Sequence, residues 1–321
     1  MVINMFDCHY DLFTYIYMNK TDLRKVKKYC KKIFRDNISG GIFNLFYMSP
    51  KEMKDELNIE YKNINIIENL KDVNFLLNKY SIIPKQIEYI KGIEGLDYLE
   101  RLEDIDTIYD LGVRSVNPVW NNDNKFGGGA KGDRNRGLTD LGENLIKKLV
   151  QKNIAIDLSH TNEKTFYNII EVCKSLKEQG ENPVIIASHS NVRELCNLER
   201  NLSDEQILKI EELDGIIGVV GVKCFCKKVK NKGMYFLGEC KKTYIKHIMY
   251  IKNLLGSIEN IAVSTDDMSY YNTFYYKHFN VFKQTKIKKR LEYELLKNNF
   301  SKEEIEKIMY KNFKDKIWDK L

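Results

Sequence analysis

The feature that most constrains this chain is a repeated alternation of two kinds of segment. Short apolar runs recur along it: "MVINMF", "GIFNLFYM", "QIEYIKGIEG", "IYDLGVRSV", "NIAIDLSH", "PVIIASHS", "GIIGVVGV" and "NIAVSTDD". They do not alternate apolar with polar residues, as expected of strands covered on both faces. Between most of them lie stretches with apolar residues at helical spacing, such as "DLGENLIKKLVQKN", "TFYNIIEVCKSLKEQ", "SDEQILKIEEL" and "YIKHIMYIKNLLG". In "SDEQ", Ser203 can cap a helix while Gln206 reaches back, a capping box. Strand alternating with helix about eight times predicts an α/β chain folded as a (β/α)8 TIM barrel.

Nothing in the sequence divides that barrel. No linker or low-complexity segment interrupts it, so residues 1–321 are expected to form a single domain. The glycine-rich "FGGGAKGDRNRG" at 126–137 reads as a loop after the fourth strand. It lacks a following Lys-Ser/Thr and is therefore no phosphate loop. "SKEEIEKIMYKNF" reads as a closing helix. The net charge of +7 comes from lysines spread through helical stretches such as "DLRKVKKYCKKIF". That distribution describes a solvated surface, not a nucleic-acid face. No apolar run reaches the roughly 18 residues of a membrane span, and no cleavable signal segment opens the chain, so a cytoplasmic protein with no membrane partner is expected. The seven cysteines have no regular spacing, which suits free thiols in a reducing compartment. Cys224 and Cys226 form a C-x-C without a second pair at zinc-finger spacing.

The polar residues that end the apolar runs carry the functional information. His9 and Asp11 follow the first run, Glu94 the third, His160 the fifth, His189 the sixth and Asp266 the eighth. Three of the five histidines in the chain stand at these ends. In a barrel the C-terminal strand ends converge on one mouth, where the active site is built. Imidazoles and carboxylates meeting there suit a zinc-like divalent ion. Singly, each residue has an ordinary structural reading. His9 and Asp11, at alternate positions, could be the polar face of an edge strand, and Asp266 with Asp267 could cap a helix. Recurrence at one end of successive strands separates the metal reading from these. On the same logic Cys8 and Tyr10 would pack outward against the helices.

These segments resemble the membrane (renal) dipeptidases and their bacterial homologues, within the metal-dependent amidohydrolase superfamily. The likeness runs over nearly the whole chain. It is carried by "CHYDL", "GIEG", "GLTDLGENLIKKL", "AIDLSHTNEKTF", "PVIIASHSNVRELCNLERNLSDEQI" and "IAVSTDD". The resemblance implies two Zn2+ ions, with His9 and Asp11 on the first, His160 and His189 on the second, and Glu94 bridging them. It further implies that Arg200 binds the substrate's terminal carboxylate, a task suited to a planar guanidinium. Asp266 would be the proton-transfer residue beside Glu94. The expected activity is hydrolysis of dipeptides, including those with a D-residue on the carboxyl side. The alternative is a metal-dependent amidase of modified dipeptides or lactams. Related enzymes are often dimers, so the resemblance makes a homodimer one form open to this chain, which the sequence itself does not decide.

Three positions depart from the family pattern. Trp120 stands where members often carry a histidine, and it would wall the substrate pocket; an indole donates a hydrogen bond but cannot be protonated. Met268 occupies the place of a second eighth-strand aspartate. "GVVGVKCF" lacks the usual Asn-Phe after the seventh strand.

Overall fold

The computed structural model describes residues 3–35, 38–46, 65–227, 237–267, 280–281 and 286–321, with backbone alone at 237–240. Strand β1 (Phe6–Tyr10) is followed by helices α1 (Leu12–Met18) and α2 (Leu23–Phe34), then by β2 (Gly40–Phe46) and α3 (Ile66–Tyr80). Next come β3 (Glu88–Glu94), α4 (Asp104–Asp110), β4 (Val113–Asn117), α5 (Asp140–Gln151), β5 (Ala155–Asp157) and α6 (Glu163–Glu178). The second half holds β6 (Ile185–Ala187), α7 (Asp204–Glu212), β7 (Ile216–Val220), the short α8 (Lys223–Cys226), α9 (Leu237–Leu255) and β8 (Ile261–Ser264). Helices α10 (Ile287–Lys297), α11 (Lys302–Glu306) and α12 (Asn312–Lys316) close the chain, with a π-helical turn over Lys307–Lys311.

The eight strands lie in sequence order, every described neighbour pair parallel. Beyond β8, the Asp266 N–H donates to the His9 carbonyl at 3.0 Å, which brings the last strand back to the first. This is a (β/α)8 barrel. Its two apolar faces form separate clusters. Val116, Ile156, Ile185, Ile217 and Val263 look outward and pack with the helices. Phe6, Cys8, Ile42, Ile90, Ala155, Ile186, Ile216 and Ala262 fill the interior. That division explains the non-alternating runs, because both strand faces are buried.

The carboxyl-terminal segment plugs the interior from below. Phe313 and Ile317 belong to the inner cluster, and Phe6 meets the Tyr310 and Phe313 rings edge-on at 4.8 and 5.6 Å between centroids. Asn312 fastens the plug by donating to the carbonyls of Ile258 and Ile261 at 2.6 and 2.8 Å. The bottom is thereby occupied, and the polar residues gather at the other end.

Two local expectations change. Cys8 does not pack outward with Tyr10. The β1–β2 register is irregular between Asp7 and Tyr10, and a Cβ added at Gly218 would stand 2.8 Å from Cys8 Cβ, across the barrel interior. A bulge breaks strict alternation and turns successive residues inward. Tyr10 does pack outward, its hydroxyl 2.6 Å from that of Tyr29. The run "IYDLGVRSV" is divided, since Ile108–Asp110 ends α4 and the strand begins only at Val113. The Ser203–Gln206 capping box forms in both directions, at 3.3 and 2.9 Å. The Met268 position lies outside the described residues.

Candidate metal centre

Each residue expected at the mouth reaches it from a strand end. His9 is the penultimate residue of β1, and Glu94 is the last of β3. Asp11 has left the strand and stands at the N-terminus of α1, yet its side chain makes no capping bond. His160 and His189 follow β5 and β6, and Asp266 follows β8. His160 and Asp266 have positive φ, 75° and 45°, a conformation that non-glycine residues rarely hold without surrounding support.

Glu94 is the centre of the group. Its Oε1 lies 2.7 Å from His160 Nε2 and 3.2 Å from His189 Nε2, while Oε2 lies 3.3 Å from His9 Nε2. His9 Nε2 is also 3.5 Å from Asp11 Oδ1. His160 and His189 approach each other to 2.9 Å through Nε2. Possible ligand atoms of Glu94, His160 and His189 lie together within 4.8 Å, as do those of His9, Asp11 and Asp266. All these residues are buried, Asp266 most exposed at 8 %.

Burial and crowding shift their protonation. Burial pushes Asp11 up to about 6. It pushes Asp266 up to about 8, opposed by His9 and Arg200 and reinforced by Asp11 and Glu94. Burial also drives His160 down to about 3 and His189 well below an ordinary imidazole, with Arg200 adding to both. His9 and Glu94 run against their burial. The charges of Glu94 and Asp11 hold His9 well above the usual imidazole range, and His9 in turn holds Glu94 well below the carboxylate range. Three buried carboxylates thus share little positive charge, which is what a divalent cation supplies.

The donor set fits such an ion. His9 Nε2 and Asp11 Oδ1 are buried without a hydrogen-bond partner, an arrangement that metal ligation would satisfy. Nitrogen and carboxylate oxygen are the atoms zinc prefers. Behind them the imidazoles are held by their other nitrogens. Ser188 Oγ lies 3.1 Å from His9 Nδ1 and 2.7 Å from His189 Nδ1, and it bonds in turn to Asp157. Asn121 Oδ1 lies 3.0 Å from His160 Nδ1.

The glycine-rich loop is part of this support. Ala130 N–H donates to the His160 carbonyl at 2.8 Å, and Lys131 N–H to the Asn121 carbonyl at 2.7 Å. Gly129 packs so closely on this segment that a Cβ would meet the Trp120, Asn121 and Asn122 carbonyl oxygens at 2.4–2.6 Å. Here the glycine permits close approach of two backbones. Trp120 walls the site between Phe46 and His160, at centroid distances of 4.9 and 5.7 Å. Arg200 donates to Ser190 Oγ at 3.0 Å, while its Nε and Nη2 are shielded from solvent with no partner.

The expected residues therefore come together, but their supporting shell was missed. Asp157, Ser188 and Asn121 escaped the sequence reading, as did Asn44, whose amide nitrogen lies 3.0 Å from His9 Nδ1. The signal available was polar residues embedded in otherwise apolar runs, Asp157 in "IAIDLSH" and Ser188 in "VIIASHS". Asp7 is similar: it accepts the Thr265 N–H and hydroxyl at 2.9 and 2.5 Å, linking β1 to the segment after β8.

The barrel thus carries at its mouth a ring of imidazoles and carboxylates able to hold divalent metal ions. The profile of the membrane dipeptidase family (peptidase family M19) matches residues 2–320, and the chain belongs to that family. Among curated relatives, a protein encoded in the PQQ-III 3′ region of Acinetobacter calcoaceticus is 33% identical over 165 residues, covering 49% of this chain and 48% of that one. An uncharacterized dipeptidase of Schizosaccharomyces pombe is 28% identical over 191 residues, 59% of this chain and 43% of that one. The chain thus spans about half the length of these relatives. A crystal structure of a Rhodobacter sphaeroides metallopeptidase, liganded with a phosphinate mimic of L-Ala-D-Ala, has the same fold, with a TM-score of 0.76 at 19% identity over 99% of this chain and 100% of that one. No helix among the described residues is long and apolar enough to cross a membrane.

Proposed function

We propose that the protein is a zinc-dependent dipeptidase working through a binuclear site. The observation that carries the reading is the setting of Glu94, whose two oxygens face different imidazole groups, His160 and His189 on one side and His9 on the other. In this reading His9 and Asp11 would hold one ion, His160 and His189 the second, and Glu94 would serve both. When bound, the metal pair supplies Lewis acidity and a water acidic enough to ionise near neutral pH.

The chain's own residues do the rest. Arg200 keeps two guanidinium nitrogens buried and unpartnered, ready for a carboxylate at the end of a short substrate. Asp266 is raised to about 8 chiefly by its burial, and positive charge at the mouth would ionise it; the carboxylate is then placed to take a proton from water and give it to the leaving amine. Trp120 limits the pocket beside His160. Membership of the membrane dipeptidase family supports the substrate class, and the phosphinate complex of the Rhodobacter protein supports a D-residue on the carboxyl side.

A panel of L,L and L,D dipeptides incubated with added zinc tests the reading. Cleavage that chelator abolishes and zinc restores is expected. Metal-loaded protein that leaves every member intact would move the assignment to an amidase of modified dipeptides or lactams.

A further inference from the structure

We propose that Ser188, backed by Asp157, is a positioning residue that fixes the ring tautomers of His9 and His189 together, so that one hydroxyl sets both halves of the metal centre. The inference rests on the assignment of these histidines as ligands made above. An imidazole offers Nε2 to a metal only when its proton stands on Nδ1, and an acceptor facing Nδ1 holds it there.

The atoms around Ser188 Oγ meet that requirement twice. The hydroxyl has one hydrogen and two lone pairs. Its hydrogen goes to Asp157 Oδ2. Asp157 Oδ1 receives the backbone N–H groups of Ser159 and Ser188, each at 3.0 Å, which orients the carboxylate so that Oδ2 meets the hydroxyl. Two lone pairs remain, and two imidazole Nδ1 atoms face them, at 3.1 Å for His9 and 2.7 Å for His189. The two rings lie against each other with centroids 3.8 Å apart, so one oxygen can serve both. All four residues are at most 2 % exposed, which leaves no bulk water to compete.

Two neighbours sharpen the assignment. The Asn44 amide nitrogen stands 3.0 Å from His9 Nδ1. Donating there it would move the His9 proton to Nε2 and oppose ligation, so ligation through Nε2 requires the flipped amide, whose oxygen in that place is a second acceptor. His160 is held separately, by Asn121. Loss of Ser188 should therefore disturb both ions, and loss of Asn121 only the one on His160.

The test measures metal affinity, independent of turnover. The full-length chain is stripped with chelator and titrated with zinc against a chromophoric competitor. Ser188→Ala is expected to weaken both ions by about 10- to 100-fold, the usual reach of a residue behind a ligand. Asp157→Asn keeps the size but places a donor where an acceptor stood, turning the serine hydrogen onto an imidazole, and should weaken binding as well. Asn121→Ala should weaken one ion alone. Wild-type affinity in both Ser188→Ala and Asp157→Asn overturns the proposal, as does loss of a single ion in Ser188→Ala. Wild type that binds less than one ion overturns the metal reading itself, and this proposal with it. Should the variants not fold, isotope-selective histidine NMR of the zinc-loaded wild type decides. Protons on Nδ1 of both His9 and His189 support the pivot, and a proton on Nε2 of either overturns it.

Discussion

Arg200 illustrates how a single residue can be read for function from what it lacks. Burial lowers its pKa from the ordinary arginine value, countered mainly by Asp266 and Glu94, and two of its nitrogens have no partner. A buried guanidinium is retained only where it meets an anion. We expect Arg200→Ala to raise KM for dipeptides with a free carboxylate by about 10- to 100-fold, from a charge-assisted interaction of about 1.5–3 kcal/mol. Dipeptide amides, which lack that charge, should respond far less. Equal losses on both substrates in steady-state assays would remove Arg200 from its assigned place. His189 offers the complementary case. In the proposed reading its side chain contributes a ligand nitrogen more than packing, so His189→Ala should abolish turnover while circular dichroism retains the folded spectrum. Arg200, inside "CNLERNLSD", came only from the family resemblance, whereas His189 was legible because it is polar at the end of an apolar run. Ser188 was not, since a serine beside a histidine has no distinguishing spacing until Asp157 is brought to it from another strand.

Among the elements, α9 carries a buried histidine whose role is structural. His247 accepts the Val192 N–H on Nδ1 at 3.1 Å and donates from Nε2 to the Cys226 carbonyl at 3.0 Å. That pair of bonds fixes a neutral ring, tying α9 to the loops after β6 and β7. Burial lowers its pKa from 6.5 to about 4. Between those values the unfolded chain binds a proton that the folded protein refuses, so stability falls as the pH drops through this window and levels off below it. The full effect is about 3 kcal/mol. Urea unfolding of wild type and His247→Gln between pH 7 and about 4 should show a shallower loss in the variant, whose residue does not titrate. Parallel losses would mean that His247 contributes no such linkage. The existence of α9 was readable from the apolar spacing of "YIKHIMYIKNLLG". Its anchoring was not, because the partners are backbone groups of two distant loops. The bulge in β1 was hidden for a related reason: period-two reasoning cannot show where a strand departs from its pleat.

For the molecule as a whole, the two ends of the barrel are held in different ways. The strand order was legible because runs covered on both faces leave a continuous apolar signature, and the mouth was legible because barrel geometry gathers strand ends. The aromatic plug was not, since "SKEEIEKIMYKNF" reads as an ordinary amphipathic helix and nothing local says that Phe313 enters the barrel. The bottom is closed by apolar packing that needs no ligand. At the mouth, Asp11, Glu94 and Asp266 are buried together. Without a cation they must take up protons or repel one another, and with one they are ligands and neighbours of a positive charge. Metal should therefore stabilise the whole barrel, because a ligand that binds only the folded chain adds RT ln(1 + [L]/Kd), about 4 kcal/mol at a thousandfold excess over Kd. We expect chelation to lower the melting temperature by several degrees, and zinc to restore it with a rise that grows with the logarithm of free metal. Phe313→Ala should also lower the melting temperature, by removing about 3–5 kcal/mol of buried packing, while activity per folded molecule and the zinc-dependent increment stay as in wild type. If the increment vanished in Phe313→Ala, the two ends would be one cooperative device and their separation would be wrong.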